Sequence, residues 1–202
     1  MIAIVDYDAG NVRSVEKAME HLGAEATLTR DADIIRSADH VIVPGVGAFE
    51  DAMGRLDRYG LTEVIREVAK SGKPIMGICL GLQLFFEGSE ESENDVEGLN
   101  LLPGRLKRFP DTTGYKIPQI GWNALHIKTG TKLFEGVDDG TFVYFVHSYY
   151  LEATDENDVA ATAEYMIPFD AAVEHENIFA TQFHPEKSGD PGLRILKNFI
   201  SI

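Results

Sequence analysis

The stretch Pro74-Ile75-Met76-Gly77-Ile78-Cys79-Leu80-Gly81-Leu82-Gln83-Leu84-Phe85-Phe86 decides the fold. Pro74–Ile78 reads as a buried strand and Leu82–Phe86 as a helix. Between them, Gly77-Ile78-Cys79-Leu80-Gly81 sets the only cysteine of the chain at a strand-to-helix turn, with glycine on either side. That spacing is the thiol counterpart of the nucleophile elbow, a strained turn that other backbone must approach closely. A helix beginning at Leu80 would aim its positive end at the sulfur and favour thiolate. A lone free cysteine in an apolar run is by default a small buried hydrophobe. The two glycines and the strand–helix switch argue for a nucleophile instead.

A nucleophilic thiol needs a base within reach, and the base needs an orienting group. Near the C-terminus the chain reads Thr181-Gln182-Phe183-His184-Pro185-Glu186-Lys187-Ser188. His184 and Glu186 are two apart, so in extended backbone they point the same way, and Pro185 between them disfavours helix. Glu186 can hold one imidazole nitrogen while the other faces Cys79. The remaining histidines, His21, His40, His126 and His175, lack metal-ligand spacing, so no metal and no cofactor is expected.

The 202 residues suffice for one core, and a single domain over 1–202 is expected. One cysteine excludes an internal disulfide framework. Met1-Ile2-Ala3-Ile4-Val5-Asp6 has no basic segment ahead of its apolar run, so it reads as a first core strand, and a cytoplasmic location is expected. The net charge of −15 argues against phosphate-driven nucleic-acid binding and against anionic membrane surfaces.

The first half alternates strands (Ile2–Asp6, Ala26–Thr29, Val41–Val43 ending at Pro44, Pro74–Cys79) with helices (Val12 to Leu22, Ala48–Leu56, Leu61–Lys70). That alternation indicates an α/β fold with a mainly parallel sheet covered on both faces. The second half adds strand-like runs at Leu101–Phe109, Ile117–Leu125, Phe142–Leu151, Val159–Tyr165, Asp170–Glu174 and Ile178–Phe183, several of them expected antiparallel. A helix carrying Leu193, Leu196, Phe199 and Ile200 closes the chain. The acidic segment Glu87–Glu97 reads as a mobile loop.

Acyl transfer at Cys79 calls for backbone N–H donors from the residue after the nucleophile and from a neighbouring strand–helix loop. Leu80 meets the first requirement. The Gly-rich turn Pro44-Gly45-Val46-Gly47 meets the second through Val46 or Gly47. His147-Ser148-Tyr149, after the strand Phe142–Val146, offers polar groups for the charged end of a substrate.

Gly77–Gln83 together with Phe183–Ser188 resembles the class I glutamine amidotransferases, which have a flavodoxin-like sheet. Val5–Asn11, Pro44–Phe49, Ile120-Gly121-Trp122-Asn123 and Tyr144–Tyr149 narrow the resemblance to the glutaminase subunits of imidazole glycerol phosphate synthase. The resemblance implies that Cys79, His184 and Glu186 form a triad that hydrolyses L-glutamine. It implies a glutamine pocket of Gly47, Gln83, Glu91, His147, Ser148 and Tyr149. It also implies a surface of Asn11, Trp122, Asn123, Tyr144 and Lys187 facing a separate cyclase subunit that receives the ammonia. The family usually has Gly where Asp8 stands and often Met where Leu82 stands. Taken without the resemblance, the residues leave open a stand-alone cysteine hydrolase or a regulatory subunit with a silent triad.

Overall fold

A computed structural model describes residues 1–202. In chain order the first half runs β1 (Ile2–Val5), α1 (Val12–His21), β2 (Ala26–Thr29), α2 (Ala32–Ser37), β3 (His40–Gly45), α3 (Phe49–Arg58), α4 (Leu61–Lys70), β4 (Ile75–Cys79) and α5 (Leu80–Leu84). The second half runs β5 (Gly88–Ser89), β6 (Gly104–Arg108), β7 (Gln119–Ile127), β8 (Phe142–His147), β9 (Tyr149–Ala153), β10 (Val159–Tyr165), β11 (Ile167–His175), β12 (Ile178–Thr181) and α6 (Gly189–Ile200). No helix is long and apolar enough to cross a membrane.

The main path of the sheet is β2-β1-β3-β4-β12-β11-β10-β7-β8. From β2 to β12 the neighbours are parallel, and from β12 to β8 they are antiparallel. Strand β9 joins β11 to β6 off this path. Alternate strand residues feed two cores, as the two-residue period requires. Ala3, Val5, Val41, Val43 and Ile75 pack with α3, α4 and α5 on one face. Ile2, Ile4, Ile42, Met76 and Ile78 pack with α1 and α6 on the other.

The expected parallel sheet and antiparallel second half are both present, with local differences. Strand β3 does not stop before Pro44 but continues to Gly45, where Pro44 pairs with Ile78 and Gly45 with Cys79. Proline is tolerated because β1 pairs β3 only as far as Ile42, and the Pro44 carbonyl instead accepts from the buried Tyr7 hydroxyl at 2.7 Å. Helix α5 stops at Leu84 because the Leu84 and Phe85 carbonyls are taken by the N–H groups of Leu99 and Leu101. At five residues, its dipole offers the sulfur less than a full helix would. The Phe142–Leu151 run breaks at Ser148, where the chain leaves the β7 ladder and joins the β6 and β11 ladders.

The acidic segment is tethered rather than loose. Glu91 Oε2 accepts from the Phe49 N–H (2.7 Å), which supplies the N-terminal cap that Ala48 cannot give α3. Ser92 and Asn94 donate to Glu50, and Asp95 pairs with Arg105.

The elbow depends on close backbone approach. A Cβ at Gly81 would lie 1.8 Å from the Val43 carbonyl oxygen, and one at Gly77 would lie 2.7 Å from Gly81 backbone. Gly54, on the exposed side of α3, has open space. Urea unfolding should show Gly81→Ala losing about 3 kcal/mol or more, since fixed backbone must move. Gly54→Ala should gain about 0.5–1 kcal/mol.

Candidate active site

Cys79 ends the central strand β4 with φ 56° and ψ −108°, outside the ordinary regions for a residue with a side chain. Strand β12 lies parallel beside β4, with Thr181 opposite Ile78. Three residues past Thr181, the chain delivers His184 at the end of the sheet where Cys79 sits. Three bonds hold His184 in place. Its N–H donates to the Tyr144 carbonyl (3.0 Å), Ser188 Oγ donates to its carbonyl (2.7 Å), and Tyr144 N–H donates to Ser188 Oγ (3.0 Å).

The side chains of His184 and Glu186 are buried, and His184 Nδ1 lies 2.8 Å from Glu186 Oε1. His184 Nε2 has no hydrogen-bond partner within the chain, which leaves it free for Cys79 and a reacting group. Burial alone would push the imidazolium down. The Cys79 side chain and the Glu186 carboxylate outweigh it and raise His184 to about 10. The Cys79 sulfur also lies 3.9 Å from the Val146 carbonyl and 3.7 Å from Gln182 Nε2.

A cavity of about 270 Å³ opens on Cys79. It brings together Val46, Gly47, Leu80, Gln83, Glu91, His147, Ser148 and Tyr149, the residues expected for the oxyanion donors and the pocket, with Pro118 and Val146 in addition. The N–H groups of Val46 and Gly47 make no hydrogen bond within the chain, and Gly47 has φ 109°, a backbone conformation open to glycine. Gln83 Nε2 donates to Gln182 Oε1 (3.0 Å) and to the Tyr149 carbonyl (3.3 Å).

His147 differs from the expectation of an exposed strand-end group. It is buried, with one ring nitrogen 2.8 Å from the Tyr149 carbonyl and the other 2.9 Å from Gln119 Oε1. Neither nitrogen is free for a substrate. Burial, countered in part by the Tyr149 carbonyl, lowers it to about 4, and the positive charge at His184 adds to the lowering.

Of the residues expected on the partner face, Trp122 is 52% exposed and meets Tyr144 edge-on, with ring centroids 6.0 Å apart. Ile120 and Phe142 are exposed beside them on β7 and β8, and Lys187 is exposed. Asn11 instead turns its amide inward, donating to Glu186 Oε1 at 2.6 Å and lying 3.4 Å from His184 Nδ1. Asn123 is tied to Gln119 (2.7 Å) and to the Glu164 carbonyl (2.9 Å). Asp8 takes a left-handed conformation (φ 60°), held by Tyr59, by Arg30 at 2.7 Å, and through its carbonyl by Arg55 at 2.6 Å.

Sequence reasoning missed Gln182, Ser188, Gln119 and Tyr7. Gln182 stands two residues before His184, but the chain bends at residues 182 and 183 past the end of β12, so no strand period marks it. The other three have no local signature.

Residues 3–202 match the family model for glutamine amidotransferase class-I. The chain is 50% identical to imidazole glycerol phosphate synthase subunit HisH of Syntrophotalea carbinolica, over 98% of each chain. It is also 50% identical to the subunit of that name from Methanosarcina acetivorans, over 100% of this chain and 98% of that one. A crystal structure of a glutamine amidotransferase superposes with a TM-score of 0.77 at 21% identity, over 100% of this chain and 98% of that one. The structure of PurLQS from Thermotoga maritima gives 0.77 at 21%, over 99% and 97%. At that identity these structures speak to the fold.

The buried His147 predicts a pH dependence of stability. The native ring stays neutral down to about pH 4, whereas in the unfolded chain it takes up a proton near pH 6.5. The unfolded state therefore binds more protons in that window, and stability falls as pH falls through it. Urea unfolding at pH 7 and pH 5 should show wild type losing about 2 kcal/mol more than His147→Gln, which lacks the titrating ring.

Proposed function

The chain belongs to the class-I glutamine amidotransferase family, and we propose that Cys79, His184 and Glu186 are its working triad. It is a glutaminase subunit of imidazole glycerol phosphate synthase type, hydrolysing L-glutamine to glutamate and ammonia. The ammonia goes to a separate cyclase subunit, which forms imidazole glycerol phosphate and an aminoimidazole-carboxamide ribonucleotide in histidine biosynthesis. One glutaminase domain spans residues 1–202, working without metal or cofactor and in the cytoplasm. The observation that carries the reading is Cys79 at a strained elbow above a cavity, beside a buried His184 held by Glu186.

Glutamine enters the cavity with its side-chain carbonyl over Cys79. The thiolate adds to the carbonyl carbon, and the negative oxygen turns toward the N–H groups of Leu80 and of Val46 or Gly47. His184 gives its Nε2 proton to the departing ammonia and leaves a thioester on Cys79. Water, losing a proton to His184, then adds to the thioester and releases glutamate. Glu186 keeps Nδ1 protonated and the ring aimed at the sulfur, and Asn11 steadies Glu186. Gln83, Glu91, Ser148 and Tyr149 line the space left for the rest of the substrate. The exposed apolar surface of Ile120, Trp122 and Phe142, with Tyr144, Asn123 and Lys187 beside it, receives the cyclase.

The deciding assay measures glutamine hydrolysis and product synthesis by the complex with the cyclase. Cys79→Ala should lose hydrolysis but keep synthesis from added ammonium salts. Loss of both would assign Cys79 a structural role. His184→Ala should cost far more than Glu186→Gln, and little more once Cys79 is already gone. A second measurement uses the only tryptophan. Trp122 emission should move to shorter wavelength when a tryptophan-free cyclase is added, and Trp122→Ala should weaken association by about 2 kcal/mol or more.

A further inference from the structure

Four hydrogen-bond links run in line through the pocket wall. The Tyr149 carbonyl lies 2.8 Å from His147 Nδ1, and His147 Nε2 lies 2.9 Å from Gln119 Oε1. Gln119 Nε2 lies 2.7 Å from Asn123 Oδ1, and Asn123 Nδ2 lies 2.9 Å from the Glu164 carbonyl. Both ends are backbone carbonyls, which only accept. Each carboxamide turns one donating and one accepting end along the line, and a neutral imidazole contributes one N–H. Three hydrogens are thus available for four links. Reversing Gln119 moves the gap to the Gln119–Asn123 link, and reversing Asn123 as well moves it to the Glu164 carbonyl, but neither closes it.

Only a second proton on His147 completes the line. Against it stand the rings of Phe109, Phe145 and Phe169 around His147, and the positive charge of His184, the charged group that acts on it. The line is therefore one hydrogen short in the resting protein, and its polarity is set by whichever link goes unmade. One end, the Glu164 carbonyl, lies on β10 and is reached through Asn123 of β7, the residue after the exposed Trp122, and the other forms the His147–Tyr149 wall of the cavity.

We propose that Gln119 and Asn123 are positioning residues that set the tautomer and proton count of His147, so that the inward face of β7, behind the exposed Trp122, and the wall of the glutamine pocket share one hydrogen-bonded line. The inference rests on the functional reading above for the identity of the substrate, and on geometry alone for the line itself. A contact that reorients the Asn123 amide changes which way Gln119 presents itself to His147. The turn that carries Ser148 and Tyr149 moves with the ring.

The test has two parts. In the free, ¹⁵N-labelled chain, imidazole resonances followed against pH report the protons on His147. Wild type should show a single N–H, on Nδ1, into the acid range. Gln119→Glu puts an acceptor-only group against Nε2 and should raise the His147 midpoint by about two pH units. Asn123→Ala frees Gln119 to donate to Nε2 and should lower the midpoint by about half a unit. Opposite shifts are the signature of the line, and a purely structural role would not produce them. In the complex with the cyclase, Gln119→Met should raise KM for glutamine about fivefold or more while kcat changes less than about twofold.

Midpoints that stay at the wild-type value, or that move in the same direction in both variants, would overturn the proposal, as would an unchanged KM. If Gln119→Met does not fold, the KM of the isosteric Gln119→Glu decides. A wild-type complex that fails to hydrolyse glutamine would defeat the functional reading, while the imidazole titration would still judge the line.

Discussion

The parallel pairing of β4 with β12 is the constraint on which the site depends. It places residue 79 and residue 184, more than a hundred positions apart, at one end of one sheet. Because β3 pairs with β4 on its other side, the Val46–Gly47 turn arrives at the same end. No single loop builds the site. Three neighbouring parallel strands each release one functional segment, and the rigidity of the ladder sets their spacing. The antiparallel half supplies the remaining support, since Tyr144 on β8 receives the His184 N–H and is bound in turn by Ser188. A shift of one residue in the β4–β12 register would turn every side chain to the opposite face and separate the sulfur from the imidazole.

Around this frame the polar groups fall into two sets with different duties. Glu186 Oε1 takes both His184 and Asn11, which fixes the imidazole from the side away from the sulfur. Gln182, Gln83 and the Tyr149 carbonyl form a second series that runs from the sulfur to the cavity wall. The two sets differ in charge. His184 is raised by its contacts with Cys79 and Glu186, which outweigh its burial, and His147, a few residues of wall away, is lowered by burial. Two imidazoles near one cavity thus sit in opposite protonation states at neutral pH, the kind of separation that divides acid–base work from positioning.

Much of this was legible in the residues themselves. The apolar strands spaced by helices pointed to the parallel half, and the glycines about Cys79 pointed to the elbow. His184 and Glu186 do meet, at 2.8 Å, but not through the extended backbone expected of them: Pro185–Lys187 form a 3-10 turn with the proline at its start, where a missing N–H costs nothing. Other features were hidden for physical reasons. Gln119 matters through a partner 28 positions away and Gln182 through one 103 away, and no local period marks such contacts. The break at Ser148 follows from a change of ladder, which an apolar run cannot announce. The acidic stretch 87–97 has the composition of a loose loop, yet Glu91 closes the open end of α3 and Glu50 gathers Ser92 and Asn94. Composition records charge and leaves out where the charge is used.

Asp8 carries a consequence of its own. Left-handed backbone suits glycine, and an aspartate there persists because its neighbours hold it. The Tyr59 hydroxyl and then the Arg30 guanidinium keep its carboxyl below the usual range, and Arg30 lies 4.4 Å over the Tyr59 ring. Glycine at this position would leave the turn to Asn11 free to sample several shapes. Aspartate exchanges that freedom for a latch of mixed character. Its ion-pair and cation–π components weaken as counterions crowd in, the screening length being about 3 Å at molar salt, whereas the short-range Tyr59 hydroxyl bond needs no second charged side chain. The turn that steadies Glu186 thus keeps one direct tie, from Tyr59, when its ion pairs are screened.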